Sequence, residues 1–155
     1  MTTDDKCGAV ARQIPLDSRS AELLAHAYQQ YCGVELLTQR PGYCRTGVTV
    51  TESIDNLGQT LHGGVIYSLM DVTSMLATLP MVEADSYPLT TSLAISVLRA
   101  AERGARVTFE AQVTRAGRRM IFSQAQACIT GGPDDGKIVA TAQIVKARIA
   151  TPETR

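Results

Sequence analysis

No charge of one sign predominates in this chain: lysine plus arginine and aspartate plus glutamate number 15 each, and the formal net charge is zero. That absence removes the long-range field that draws a protein to nucleic acid or to an anionic bilayer, so no nucleic-acid partner and no membrane partner is expected. Any anionic ligand must be held by local charges. The start, Met1-Thr2-Thr3-Asp4-Asp5-Lys6, lacks the apolar stretch of a signal peptide. A single helix-length run, near residue 70, is strongly apolar, and Asp71 interrupts it, which argues against a membrane span. The four cysteines, Cys7, Cys32, Cys44 and Cys128, form no CxxC or Cys/His pattern of metal-ligand spacing. They read as reduced thiols of a cytoplasmic protein, with no zinc expected. Linkers, repeats and low-complexity stretches are also missing. The 155 residues therefore read as one domain, long enough to bury roughly 70 % of the surface its unfolded form exposes.

What is present falls into a clear order. Residues 1–17 carry mixed charge, Gly8 and Pro15, and read as a loosely held arm ahead of a single domain over 18–150. From Ser18 to Tyr31, Leu23, Leu24, Ala27, Tyr28 and Tyr31 recur at helical spacing; Ser18 or Ser20 could cap the start and Gly33 could end the helix. His26 on this helix reads as a surface or packing residue. Val34 to Thr51 carries a strand signal in the alternation of Val48 and Val50 with Thr49 and Thr51. Asp55-Asn56-Leu57-Gly58 supplies a turn. A central helix is predicted from about Gly63 to Leu79, apolar around nearly its whole circumference and stopped by Pro80. Four strand-like runs follow, Leu89 to Leu98, Arg106 to Arg115, Met120 to Thr130 and Lys137 to Ile149, joined by short turn signals that suit an antiparallel meander. The expectation is an α+β fold with an antiparallel sheet wrapped around one long helix.

Asp71 is the chemical anomaly, because an ionised carboxylate among apolar residues must be paired, hydrogen-bonded, wetted or protonated. Upstream lie His62-Gly63-Gly64 and, before them, Asn56. Gly63 would open the central helix, so its N–H can point outward with the helix dipole behind it, a natural donor to a carbonyl oxygen that gains charge. Gly64 reads either as part of a binding surface or, more simply, as a place where backbones approach closely.

Asn56…His62-Gly63-Gly64…Asp71, followed by Thr90-Thr91-Ser92-Leu93-Ala94-Ile95-Ser96-Val97-Leu98-Arg99 and Ala116-Gly117-Arg118, resembles the hotdog-fold thioesterases of the phenylacetate-degradation, or PaaI-like, type. The similarity runs over roughly residues 45–149. It departs from the family at Arg99-Ala100-Ala101, where a proline usually follows the arginine. The resemblance implies hydrolysis of acyl-CoA thioesters without metal or cofactor, CoA being part of the substrate, in a homodimer or homotetramer whose active sites lie between subunits.

The site residues follow from the same resemblance, each beside a plainer alternative. Asp71 is the expected general base or nucleophile; the alternative is a carboxylate paired with an arginine across a subunit contact. Gly63 is the expected oxyanion donor. Asn56 matches an amide that contacts the substrate carbonyl or water, or else stabilises its own turn. His62 either orients the loop and the thioester or caps the helix. Thr90 aligns with a hydroxyl that holds the attacking water, with Thr91 and Ser92 leaving the register open by one residue. Arg118 is the candidate for the CoA phosphates among the strand-end arginines, since guanidinium forks suit phosphate oxygens. Two rival readings are a non-catalytic acyl-CoA binding module on the same fold and a hotdog hydratase or dehydratase.

Overall fold

The computed structural model describes residues 13–151. Cys7 and most of the expected arm over 1–17 lie outside the described residues. The elements run α1 (Ser18–Ala25), α2 (Ala27–Cys32), β1 (Glu35–Arg40), β2 (Tyr43–Thr49), α3 (Gly63–Thr78), a 3-10 turn (Leu79–Met81), β3 (Ser86–Val97), β4 (Arg106–Ala116), β5 (Met120–Thr130) and β6 (Ile138–Ala150). They form one antiparallel six-stranded sheet, in the order β1-β2-β4-β5-β6-β3, around α3. This is the hotdog fold expected from the sequence.

Period-two alternation explains how the sheet meets the helix. On β5, Ile121, Ser123, Ala125, Ala127 and Ile129 turn inward while Phe122, Gln124 and Gln126 turn outward. The inward residues pack on a helix that buries Val65, Ile66, Leu69, Met70, Val72 and Leu76, each large side chain contributing roughly 1.5–3 kcal/mol through removal from water. Hydroxyl pairs weld helix to sheet, with Thr73 Oγ1 2.8 Å from Thr46 Oγ1 and Ser74 Oγ 2.8 Å from Ser123 Oγ. By length and composition Gly63–Met81 could cross a membrane; here it is the buried core helix. Gly64, Tyr67, Ser68, Asp71 and Met75 escape burial and form one stripe along it. That stripe carries Asp71.

Three details differ from the sequence-based expectation. The first helix breaks at His26, whose ψ of 145° is extended, giving two short helices; Asp17 caps the first by accepting from the Ser20 N–H at 2.8 Å, in place of Ser18 or Ser20. Gly33 does end the second, in the left-handed conformation at φ 70°. The run Val34–Thr51 holds a hairpin, since Pro41-Gly42 turns the chain with Gly42 at φ 81°. Finally, β3 does not pair with β4. It crosses to the opposite edge and pairs with β6 from Ser86↔Ala150 to Val97↔Ala140, so the meander covers β4, β5 and β6 alone. Hydrophobic alternation fixes which face of a strand is buried and says nothing about which neighbour it takes, so the misplacement of β3 has a plain cause. That edge position brings β3 alongside the open stripe of α3.

Candidate active site

Two clusters lie along that stripe. The first surrounds Asp71. Thr90, on β3, stands directly across from Lys146, on β6, and the register shifts immediately afterwards, between Thr90 and Ser92. Thr91 is thus the extra residue of a bulge, and its hydroxyl donates to the Val145 carbonyl at 3.2 Å. Thr90 itself donates its hydroxyl hydrogen to Asp71 Oδ1 at 2.7 Å. Lys146 Nζ donates to the same Oδ1 at 2.7 Å and to Thr90 Oγ1 at 2.7 Å. Asp71 Oδ2 takes no hydrogen bond among the described residues.

The pair is asymmetric in its access to water. The Lys146 side chain is 1 % exposed and that of Asp71 33 %. Burial pulls the Lys146 ammonium below the usual lysine range, and the Asp71 carboxylate pushes it back up. A charge sealed inside the sheet is tolerable only with such a partner. Within its own chain, Asp71 is paired with a lysine.

Lys146 escaped the sequence reading, though a signal for it existed. Ala140, Ala142 and Ile144 are buried on β6, and period two puts Lys146 on their face. A lysine at an inward strand position demands a counter-charge, and Asp71 is the acid inside the core helix.

The second cluster is the start of α3. His62 is the N-cap residue, its Nδ1 accepting from the Gly64 N–H at 2.9 Å, so the capping alternative describes where its side chain lies. The His62 carbonyl takes the N–H groups of Val65 and Ile66. Among the described residues the Gly63 N–H meets no acceptor, which leaves it one of the free donors of a helix start. A Cβ on Gly64 would lie 3.1 Å from His62 Nδ1, and one on Gly63 would lie 3.2 Å from the Tyr67 hydroxyl, so glycine lets both rings close over the first turn. The His62 N–H donates to the Ile54 carbonyl at 3.0 Å, which draws the Asn56 loop to this end.

Asn56 is largely occupied by that loop. Its Oδ1 accepts from the Gly58 N–H at 2.9 Å and from the Thr60 N–H at 3.2 Å, while its Nδ2 donates to Thr60 Oγ1 at 3.0 Å. These are the bonds of the turn alternative. Arg118 sits exposed in the β4–β5 turn, beside an open depression lined also by Glu83, Asp85 and Arg148.

The two clusters do not meet within one protomer. Asp71 follows Gly63 by eight positions on one helix, which at the usual rise is about 12 Å along the axis. Asp71 and Thr90 are brought together; Gly63, Gly64, His62 and Asn56 form the other group. Among the described residues no three His, Cys, Asp or Glu side chains gather as a metal site would require.

Comparison with known proteins agrees with this fold. The thioesterase superfamily model matches residues 58–134, which include Gly63, Asp71, Thr90 and Arg118 and leave out Asn56 and Lys146. A Deinococcus radiodurans protein provisionally named an esterase is 33 % identical over 96 residues, covering 62 % of this chain; the match spans 63 % of that relative's length. Thioesterase superfamily member 2 of zebrafish superposes with a TM-score of 0.73 at 25 % identity, covering 83 % of this chain and 91 % of that one. The PaaI protein of the Escherichia coli phenylacetic acid degradation operon shares the fold, with a TM-score of 0.75 at 23 % identity over 88 % of this chain and 94 % of that one. With the sheet wrapped around its helix and the acid on that helix's open stripe, the chain is similar to the thioesterase superfamily over residues 58–134.

Proposed function

We propose that the protein hydrolyses acyl-CoA thioesters to free acid and CoA, with Asp71 as the base or nucleophile and the Gly63 N–H as the oxyanion donor. One observation carries the reading: Asp71, on the single open stripe of the core helix, has one oxygen held at 2.7 Å by Thr90 and the other uncommitted. A carboxylate so placed can take a proton from water or attack a carbonyl.

The helix spacing supports a site completed by a second protomer, as the resemblance implies. β3 is one of the two edge strands of the sheet, and Leu89, Leu93 and Val97 on it stay exposed. Such an edge is a template for pairing with another copy. Pairing there, in a dimer or in each half of a tetramer, would carry the Asp71 stripe of one copy toward the helix start of the other. The acyl carbonyl would dock at Gly63 of one protomer, near Asn56 and His62. Asp71 of the other would activate water held at Thr90, the new C–O bond forming as the carbonyl electrons move onto oxygen. The Gly63 N–H meets that oxygen, and collapse of the adduct breaks the C–S bond and releases the CoA thiol. Loss of one such donor raises a barrier by about 3 kcal/mol. Arg118 at the turn remains the candidate for the CoA phosphates.

A specific observation favours a second reading. The ion pair with Lys146 satisfies Asp71 without any reaction, as a non-catalytic acyl-CoA binding module on this fold would allow. The hydratase alternative fits less well, because His62 Nδ1 is engaged by the Gly64 N–H. The test is thiol release from short, long and aromatic acyl-CoA thioesters, beside Asp71→Asn. The expected result is free CoA and free acid, with turnover lower by about 10²–10⁴ in the variant. Acyl-CoA binding without thiol release selects the binding module, and a hydrated or dehydrated thioester selects the third reading.

A further inference from the structure

The two oxygens of Asp71 have different surroundings, and the difference traces to a lysine no motif pointed to. Oδ1 accepts from Lys146 Nζ and from Thr90 Oγ1, each at 2.7 Å, while Oδ2 accepts nothing among the described residues. Lys146 is fully buried and lies outside the stretch matched by the family model. Its neighbours on the packed elements are Asp71 on α3, Thr90 on β3 and Ile121 on β5, so Asp71 is the charged group that faces it.

Resting on the thioesterase reading, we infer that Lys146 is a positioning residue that pins Oδ1 and leaves Oδ2 as the working oxygen of a general base. The direction of the hydrogen bonds carries this further. An ammonium has donors alone, so Lys146 Nζ donates to Thr90 Oγ1, and the single hydroxyl hydrogen of Thr90 is committed to Oδ1. Thr90 can then only accept from a water. A water giving one hydrogen to Thr90 Oγ1 and the other to Asp71 Oδ2 keeps a lone pair for the thioester carbon. Its oxygen bonds to that carbon, the proton passes to Oδ2, and the departing thiolate takes that proton as the C–S bond breaks. The ammonium draws charge from the carboxylate, which disfavours direct attack by Asp71 on carbon. Burial of Lys146, which works against its charged form, makes the tie to Asp71 obligatory.

The experiment compares wild type, Asp71→Asn, Lys146→Met and Lys146→Gln by thiol release across about pH 5 to 9. Lys146→Met is expected to fold and to lose kcat by about 10- to 100-fold with KM within about twofold. Lys146→Gln restores a donor without its charge. It should recover part of kcat, because a donor to Oδ1 is back in place. A Lys146→Met enzyme with wild-type kcat overturns the inference, as does a loss that only follows the folded fraction. A wild type without thiol release sinks the thioesterase reading itself, whereas an active wild type beside a Lys146→Met that keeps wild-type kcat sinks the inference alone. If neither lysine variant folds, nitrogen-labelled wild type decides: the Lys146 ammonium should show a proton resonance protected from water and lost in Asp71→Asn. An ammonium in free exchange overturns the role.

Discussion

Lys146 Nζ and Asp71 Oδ1 meet at 2.7 Å although 75 positions of sequence separate them. The lysine side is sealed inside the sheet and the aspartate side opens to the helix stripe, so the pair presents one charge outward and hides the other. Buried ion pairs add little to stability for their own sake, since desolvation offsets attraction. Their persistence in a core is better explained by what they orient. Here they orient a carboxylate on the open stripe of the core helix.

Thr90 and Thr91 separate the working register from its neighbour. Thr90→Val removes the hydroxyl shared by Asp71 and Lys146 and should cost about 1 kcal/mol in urea unfolding, with at least a tenfold fall in turnover. Thr91→Val removes only an exposed bond to the Val145 carbonyl and should leave both near wild type. Equal effects at the two positions would contradict the bulge.

His62 and Gly64 act as a unit at the start of α3. His62→Ala removes the cap and should cost about 1 kcal/mol. Gly64→Ala brings a methyl within 3.1 Å of His62 Nδ1 and displaces the cap, but alanine favours the helix by about 1 kcal/mol, so stability should stay close to wild type. In the His62→Ala background the same change should stabilise. Thermal unfolding of the four proteins checks the non-additivity.

Cys44 links stability to alkaline pH. Burial pushes its thiol well above the ordinary value of 9.0, so the folded chain keeps a proton that the unfolded chain releases. The sign follows from linkage: the stabilisation is complete below about pH 9 and is lost as pH rises beyond it, because the unfolded state there binds fewer protons. Urea midpoints should therefore fall between about pH 8 and 10, and fall less steeply in Cys44→Ala. The native thiol should resist alkylation that the half-buried Cys128 accepts.

The free edge of β3 makes oligomerisation testable. Val97→Lys places a charge on that edge, which disfavours strand pairing between copies while the monomer's core is untouched. Sedimentation should show a shift toward monomer, and thiol release should fall with it, since Gly63 and Asp71 of one chain lie too far apart to serve one substrate. A fully active monomer would remove the shared site.

Much of this was legible in the chain because it is local. The four later runs, Leu89–Leu98, Arg106–Arg115, Met120–Thr130 and Lys137–Ile149, lie within a few residues of β3 to β6, since alternation of apolar and polar residues is written into each strand separately. Asp71 stood out because a carboxylate in a greasy helix is a chemical contradiction within one element. The break at His26 was hidden, as Ala27, Tyr28 and Tyr31 continue the helical spacing on its far side. The two roles weighed for Asn56 could not be separated either, since the turn that engages its amide depends on Thr60 folding back.

The sequence by itself determined the elements, the helix start at Gly63 with its free donor, and the presence of one acid that the core must explain. Tertiary structure decided the partner of that acid. β3 had to cross to the edge beside β6 before Thr90 could stand opposite Lys146, and a bulge at Thr91 had to follow, before three side chains from three elements could share 2.7 Å contacts. Pairing of distant strands is a property of the whole sheet, with no local pattern that encodes it, and so the counter-charge for Asp71 became visible only in three dimensions.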